Sequence, residues 1–174
     1  MLKHDTTPRL SRRFVATVAI AATCALSARP HAGNLTLTLT GFPAPIEISS
    51  FSVGATKVPP VTGGSSTLAN FQDAAFTAAE SPATPLEITK LIAGARLTTA
   101  QLVVLSPTTG QLVSDWTFEE ALVTSVALGH LSGASASPMT DFSLSYNKVT
   151  YRVFATDGSV AQRSCWNVVS NVAC

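Results

Sequence analysis

Charge is scarce in this sequence: 12% of its residues are Asp, Glu, Lys or Arg, against ~25% in an average soluble domain. Of the eleven basic residues, Lys3, Arg9, Arg12, Arg13 and Arg29 fall within the first 33 positions. From Asn34 onward six basic residues face nine acidic ones, a net −3. A mildly acidic body offers no basic stripe for phosphates, which excludes nucleic acid as a partner. Histidine is nearly as rare, with His4 and His31 near the start and His130 alone in the body. One histidine cannot build a multi-His metal centre, so His130 reads as an exposed side chain in a Gly/Ser-rich turn, and no metal or cofactor is expected. No Gly-x-Ser-x-Gly elbow, phosphate loop or Cys-x-x-Cys occurs. The only adjacent acid pair, Glu119-Glu120, would point to opposite faces of a strand and cannot flank one scissile bond. Asp115, Asp141 and Asp157 read as ordinary turn and strand-end acids. These absences leave no catalytic residues to name and argue against an enzyme.

Long apolar runs are missing too. The longest, Phe14 to Leu26, is short of the ~20 residues a membrane helix needs. It follows Arg12-Arg13 and precedes small residues, so residues 1–33 are expected to be a cleavable signal peptide, with a secreted or periplasmic product and no stable membrane insertion after its removal. Ser11-Arg12-Arg13-Phe14-Val15 partly matches a twin-arginine signal, with Phe14 one place early. Cys24 raises a lipoprotein reading, against which the run continues past it. Without the signal two cysteines remain, Cys165 and Cys174. In an oxidising compartment they are a disulfide candidate that would staple the C-terminal tail by ~2–3 kcal/mol on the loop-entropy model; two unpaired thiols are the alternative.

What is abundant is Thr, Ser, Val, Ala and Gly in alternating patterns. Leu35 to Thr40 alternates apolar and Thr, the mark of a half-buried strand with Leu inward, and Ile46 to Val53 resumes the pattern after the break at Gly41–Pro45. Lys57 to Leu68, with Pro59-Pro60 and Gly63-Gly64, reads as an exposed loop, and Phe71 to Phe76 as a short strand or turn. Further strands are expected over 95–105, 111–128 and 141–156, the last with a one-residue phase shift. There Phe142, Leu144 and Tyr146 give way to Val149, Tyr151 and Val153, which places a bulge near Asn147-Lys148. Gly129 to Met139 reads as a Gly/Ser/Ala-rich connection. Asp157-Gly158 is a hairpin turn into a strand over 159–168.

One helix is expected over 84–94, with Thr84 as N-cap, Pro85 in the first turn, Glu87 near its positive end and Gly94 as terminator. Leu86, Ile88, Leu91 and Ile92 would face the core. The pattern is all-β: a two-sheet β-barrel or sandwich with one short flanking helix, spanning 34–174 with the cysteine-containing tail. Trp116, Trp166, Tyr146 and Tyr151 serve either as core packing or as a sugar-stacking face.

The order of these elements resembles the Hcp (haemolysin-coregulated protein) family of type VI secretion tube proteins. The stretches that carry it are Ile48 to Gly54, the helix segment from Ser81-Pro82 to Gly94, Trp116 to Val126 and Leu144 to Tyr151, together covering roughly residues 35–155. The resemblance implies a barrel with one flanking helix, six copies closing into a ring, stacked rings, contact with secreted effectors or machine proteins, and no active site. The loop at Lys57–Leu68 becomes a candidate ring-to-ring contact. A cleavable signal departs from the family, whose subunits assemble in the cytoplasm. This chain is then an exported variant, or translation starts later at a non-Met codon, since Met139 is the only other methionine. The rival reading is an extracellular carbohydrate- or protein-binding module using Trp116 or the Lys57–Leu68 loop.

Overall fold

The computed structural model describes residues 34–57, 68–129 and 138–174. The expected signal segment, the three histidines, most of the Lys57–Leu68 loop and most of the Gly129–Met139 connection lie outside these residues.

The alternating segments become strands: β1 Leu35–Leu39, β2 Ile46–Ser52, β3 Ala55–Lys57, β4 Ala69–Phe71, β5 Ala74–Ala79, β6 Arg96–Leu105, β7 Leu112–Gly129, β8 Met139–Ser145, β9 Lys148–Phe154, β10 Val160–Asn167 and β11 Val172–Ala173. All main-sheet neighbours are antiparallel. The strands run β7-β6-β1-β2-β5-β8, and β8 returns to β7, closing a six-stranded barrel. Closure satisfies the backbone groups that an open edge would leave bare. Inside it Leu37, Leu39, Phe76, Leu102, Phe118 and Phe142 are almost fully buried, and Phe76 stacks on Phe142 with ring centroids 5.3 Å apart.

β7 is eighteen residues long, and it outruns the barrel. Its second half pairs with β8 and its first half with β9, which carries β10 and β11 outward as an open extension. The expected strand over 141–156 is thus two collinear strands, interrupted at Tyr146-Asn147. β7 changes phase at the same level. Trp116 and Phe118 oppose Leu102 and Ala100, but the next inward residue is Ala121, opposite Leu97. Glu120 takes up the extra position at φ 52°, and the Asn147 N–H donates to the Glu119 carbonyl (3.1 Å). The register stays in step across this level, Thr99 with Glu119 and Leu97 with Ala121, so the facing strands change phase together and bend without losing their inward side chains.

The region from Lys57 to Phe76 holds more strand than expected. β3 and β4 form a separate two-stranded ribbon, and β5 starts two residues after β4. At Gly54 a Cβ would come within 2.7 Å of the end of the Gln72 side chain, so a larger residue there would displace that amide.

The helix, α1, spans Thr84–Ala93 and packs on β7. Gly94 ends it in the left-handed region (φ 58°), its N–H donating to the Leu91 carbonyl. Two expectations need correction. The N-cap is Ala83, not Thr84; the Thr84 hydroxyl lies inside the helix, 3.3 Å from that of Thr140 on β8. The buried residues are Ala83, Thr84 and Glu87, with Leu91 partly buried against the core; Leu86 and Ile88 are half-buried and Ile92 is 80% exposed. The helix meets the sheet through its first turn, and the i, i+3, i+7 row from Thr84 decides which side chains go inward. Among the described residues no helix is long and apolar enough to cross a membrane.

Candidate functional site

The sheet formed by β7, β9 and β10 has two chemically distinct faces, because strand side chains alternate. Trp116 on β7 opposes Tyr151 on β9, which opposes Ser164 on β10; the next row is Phe118, Val149, Trp166. These make one face aromatic. The rings of Trp116 and Tyr151 stack at 4.2 Å, and Phe118 leans on Tyr146 at 5.0 Å. The β3–β4 ribbon lies over part of this face, Phe71 against Trp166 at 6.1 Å. Between ribbon and sheet is a hollow of about 220 Å³, lined by Val53, Gly54, Ala55, Phe71, Trp116, Val149, Tyr151, Ser164 and Trp166. The Trp166 indole N–H is buried there without a hydrogen-bond acceptor. Tyr146 is better placed: its hydroxyl donates to the Gln72 carbonyl (3.1 Å), and burial, with the nearby Asp73 charge, pushes its pKa up to about 12.

The other face is polar. Asp115 is 2% exposed and accepts from Arg152 through Nε (2.9 Å) and a terminal nitrogen, and from the Gln101 amide (3.2 Å). The bidentate hydrogen bond to Asp115 raises the Arg152 pKa above its already high ordinary value. Arg152 also lies over the Phe154 ring at 5.4 Å and opposite Arg163. Lys148 pairs with Glu119 at 2.7 Å. Asp115 is therefore not the ordinary strand acid expected. Cross-strand neighbours on β6 and β9 enclose it, an arrangement that requires the register of three strands.

Three of the remaining acids, Asp73, Asp141 and Asp157, accept from neighbouring hydroxyls. Asp141 accepts from Thr77 (2.6 Å), and Asp157 accepts from both the N–H and hydroxyl of Ser159, which lowers its pKa, as suits a turn acid. Glu119 and Glu120 sit where β7 changes phase, Glu120 at a positive φ. Glu87, read from the sequence as a helix-start acid, is 1% exposed with one carboxyl oxygen unpartnered, and burial pushes its pKa up to about 7. Among the described residues no three metal-ligating side chains converge. The two tail cysteines come together: the Cα atoms of Cys165 and Cys174 are 5.3 Å apart, with their sulfurs at bonding distance.

Trp116 and Tyr151 do not form the exposed platform a sugar needs. They stack on each other, half-buried, in a hollow whose only hydroxyls are those of Tyr151 and Ser164.

Comparison with known proteins places this geometry. A family model described as "Type VI secretion system effector, Hcp" matches residues 33–153. No curated protein matches the sequence significantly. Among solved structures, Hcp1 from Salmonella typhimurium superposes with a TM-score of 0.68 at 15% identity, over 80% of this chain and 97% of that one. Hcp1 from Flavobacterium johnsoniae gives 0.59 at 13%, over 72% and 96%. The secreted protein Hcp3 from Pseudomonas aeruginosa gives 0.56 at 14%, over 73% and 94%.

Proposed function

Because the chain belongs to the Hcp family of type VI secretion system effectors, we propose that it is a structural, self-associating subunit. Copies close head to tail into a ring of six, and the ring contacts secreted effectors or proteins of a secretion machine. The observation that carries this reading is the family match over residues 33–153, which spans the barrel and nearly all of β9. The chemistry agrees with it. Asp73, Asp115, Glu119, Asp141 and Asp157 are tied into local hydrogen bonds or ion pairs and Glu87 into the helix packing, which agrees with side chains that serve the scaffold and an activity that is contact. Exposed apolar residues such as Ile92, Leu128, Val169 and Val172 offer surface for a heterologous contact that closes on itself.

The chain is an exported variant in this reading. Residues 1–33 are removed, the domain of residues 34–174 works outside the cytoplasm, and Cys165 and Cys174 form a disulfide there. The basic start with its short apolar run supports the first point, and the sulfurs at bonding distance support the last. Light scattering on the secreted product across a dilution series tests the whole: the expected mass is six times that of the subunit, with the subunit mass itself showing the loss of about 33 residues. A monomer at every concentration overturns the ring, and an intact N-terminus overturns the export.

A further inference from the structure

Val168, just after β10, packs against the core and its N–H donates to the Asn147 carbonyl (2.8 Å), and the Ser170 N–H donates to Asn167 Oδ1 (2.9 Å). Beyond these, little besides sulfur holds the segment. β11 is two residues long, both exposed, and it meets β10 only at Trp166–Ala173 and Asn167–Val172, with the Cys174 N–H donating to the Cys165 carbonyl (3.3 Å). Val169 and Val172 face solvent. Yet this segment makes a specific contact at its tip. Asn171, in the left-handed region at φ 57°, grips the backbone of Ala69 on β4 at both groups. Its Nδ2 donates to the Ala69 carbonyl (2.8 Å) and its Oδ1 accepts from the Ala69 N–H (3.3 Å). The amide thereby stands in for a neighbouring strand.

The ribbon that receives this grip is weakly rooted. β3 is exposed throughout, β4 is half-buried at Ala69 and Phe71, and the pair belongs to no larger sheet. A two-stranded ribbon alone is marginal in water. The Gln72 N–H to the Gly54 carbonyl (2.9 Å) extends the ribbon's own ladder, and its ties to the rest of the domain include Phe71 on Trp166 and the Tyr146 hydroxyl on the Gln72 carbonyl (3.1 Å).

The two sulfurs also differ. Cys174 is exposed, while Cys165 is 9% exposed and its Sγ accepts a hydrogen bond from the Thr150 hydroxyl (3.4 Å). We propose that Cys165–Cys174 is an exchange-labile strap. A dithiol opens it at Cys174, and opening it frees Asn171 from Ala69 and loosens the ribbon over the aromatic hollow. The proposal rests on the disulfide assigned under the proposed function. In the first step a thiolate of the dithiol attacks Cys174 Sγ, the only sulfur in reach. The Cys165–Cys174 bond breaks, and its electron pair goes to Cys165 Sγ, where Thr150 stabilises the leaving thiolate before it takes a proton. The second thiol of the reductant then attacks the mixed disulfide, forming the reductant's own disulfide and releasing Cys174 as a thiol. Two electrons and two protons pass from the dithiol to the cysteine pair.

Three measurements on the intact chain decide the matter. Alkylation with N-ethylmaleimide before any reductant, mapped to Cys165 and Cys174 by peptide mass, reports the starting state; label on both would remove the disulfide reading and the strap with it. Brief treatment with glutathione, a monothiol that stops at the first step, is expected to leave its adduct on Cys174, and an adduct on Cys165 overturns the direction of attack. Amide exchange at Ala69 and Phe71 is then compared before and after dithiothreitol. An increase of about tenfold is expected for a local opening of this kind, with Asn171→Ala giving a similar increase while the disulfide stays closed. Reduction without any change in exchange there overturns the strap and leaves the disulfide reading intact.

Discussion

The closed barrel and the open extension built from β9, β10 and β11 bury different things. The barrel's interior is aliphatic and aromatic, led by Leu37, Leu39, Leu102, Phe76 and Phe142, with the backbone groups paired all round the circle. The extension is one sheet thick and ends at an edge. Where it joins β7 it covers the Asp115 carboxylate with Arg152 and lays Tyr151 on Trp116, and it brings two cysteines and an asparagine to its rim. A closed sheet is held by its own packing, whereas an open one needs polar and covalent ties at the places where packing runs out.

The contrast breaks first at the barrel's centre. Phe76 lies on β5 between β2 and β8, with Phe142 stacked on it and Phe118 edge-on at 6.2 Å. Phe76→Ala empties a ring volume that a closed barrel cannot collapse to fill. The expected loss is about 3–5 kcal/mol, read as a lower midpoint in urea at unchanged slope. A loss below about 1 kcal/mol would mean the barrel relaxes as freely as a surface.

A second effect, nearly as large, concerns the one acid buried against the barrel. Glu87 has a folded pKa of about 7 against an ordinary 4.5, so above pH 4.5 the unfolded chain binds fewer protons than the folded one. Stability is then undiminished by this group at low pH and falls as pH rises from about 4.5 to 7. The penalty reaches about 3 kcal/mol above that window by the linkage of ~1.4 kcal/mol per pH unit. Glu87→Gln should flatten that part of the profile and gain stability at pH 8; thermal melts across pH 4–8 of both proteins check it. An unchanged profile would mean the carboxyl finds water or a partner when it ionises.

How far these features were legible in the sequence depends on whether local pattern or distant register makes them. The phase shift from Phe142, Leu144 and Tyr146 to Val149, Tyr151 and Val153 is written in the alternation itself, and the strands break there. Its counterpart in β7 is equally visible once sought, in Phe118 followed by Ala121 and Val123. The adjacent glutamates, excluded as a carboxylate pair, mark the level of that change, where Glu120 takes a positive φ. Gly94 and Asp157-Gly158 act locally and were read correctly. The helix's inward face was misread because its four large apolar residues suggested one stripe, while a packing angle fixed by β7 and β8 selected another containing Thr84 and Glu87. Asp115 was beyond reach for the same reason. Strand alternation puts it on the polar face, as it is, but only the pairing of Val103 and Arg152 with it brings Gln101 and the guanidinium over it.

That buried carboxylate gives the smallest and most discriminating test of the contrast. Asp115→Ala removes the acceptor shared by Arg152 and Gln101. A fully buried pair broken this way loses about 3–5 kcal/mol, but the Arg152 side chain keeps 36% of its exposure and can turn to water. The expected loss is nearer 2 kcal/mol. Arg152→Ala leaves the carboxylate behind without that escape, so it should cost at least as much. The double variant should recover part of both losses, because no unpaired charge remains, and the coupling from the cycle, measured by urea unfolding, should be about 1–2 kcal/mol. Additive losses would show that the ion pair is incidental to the extension and that aromatic stacking on the opposite face holds these strands. A clear coupling would mean that the open part of the sheet is held by charge where the barrel is held by packing.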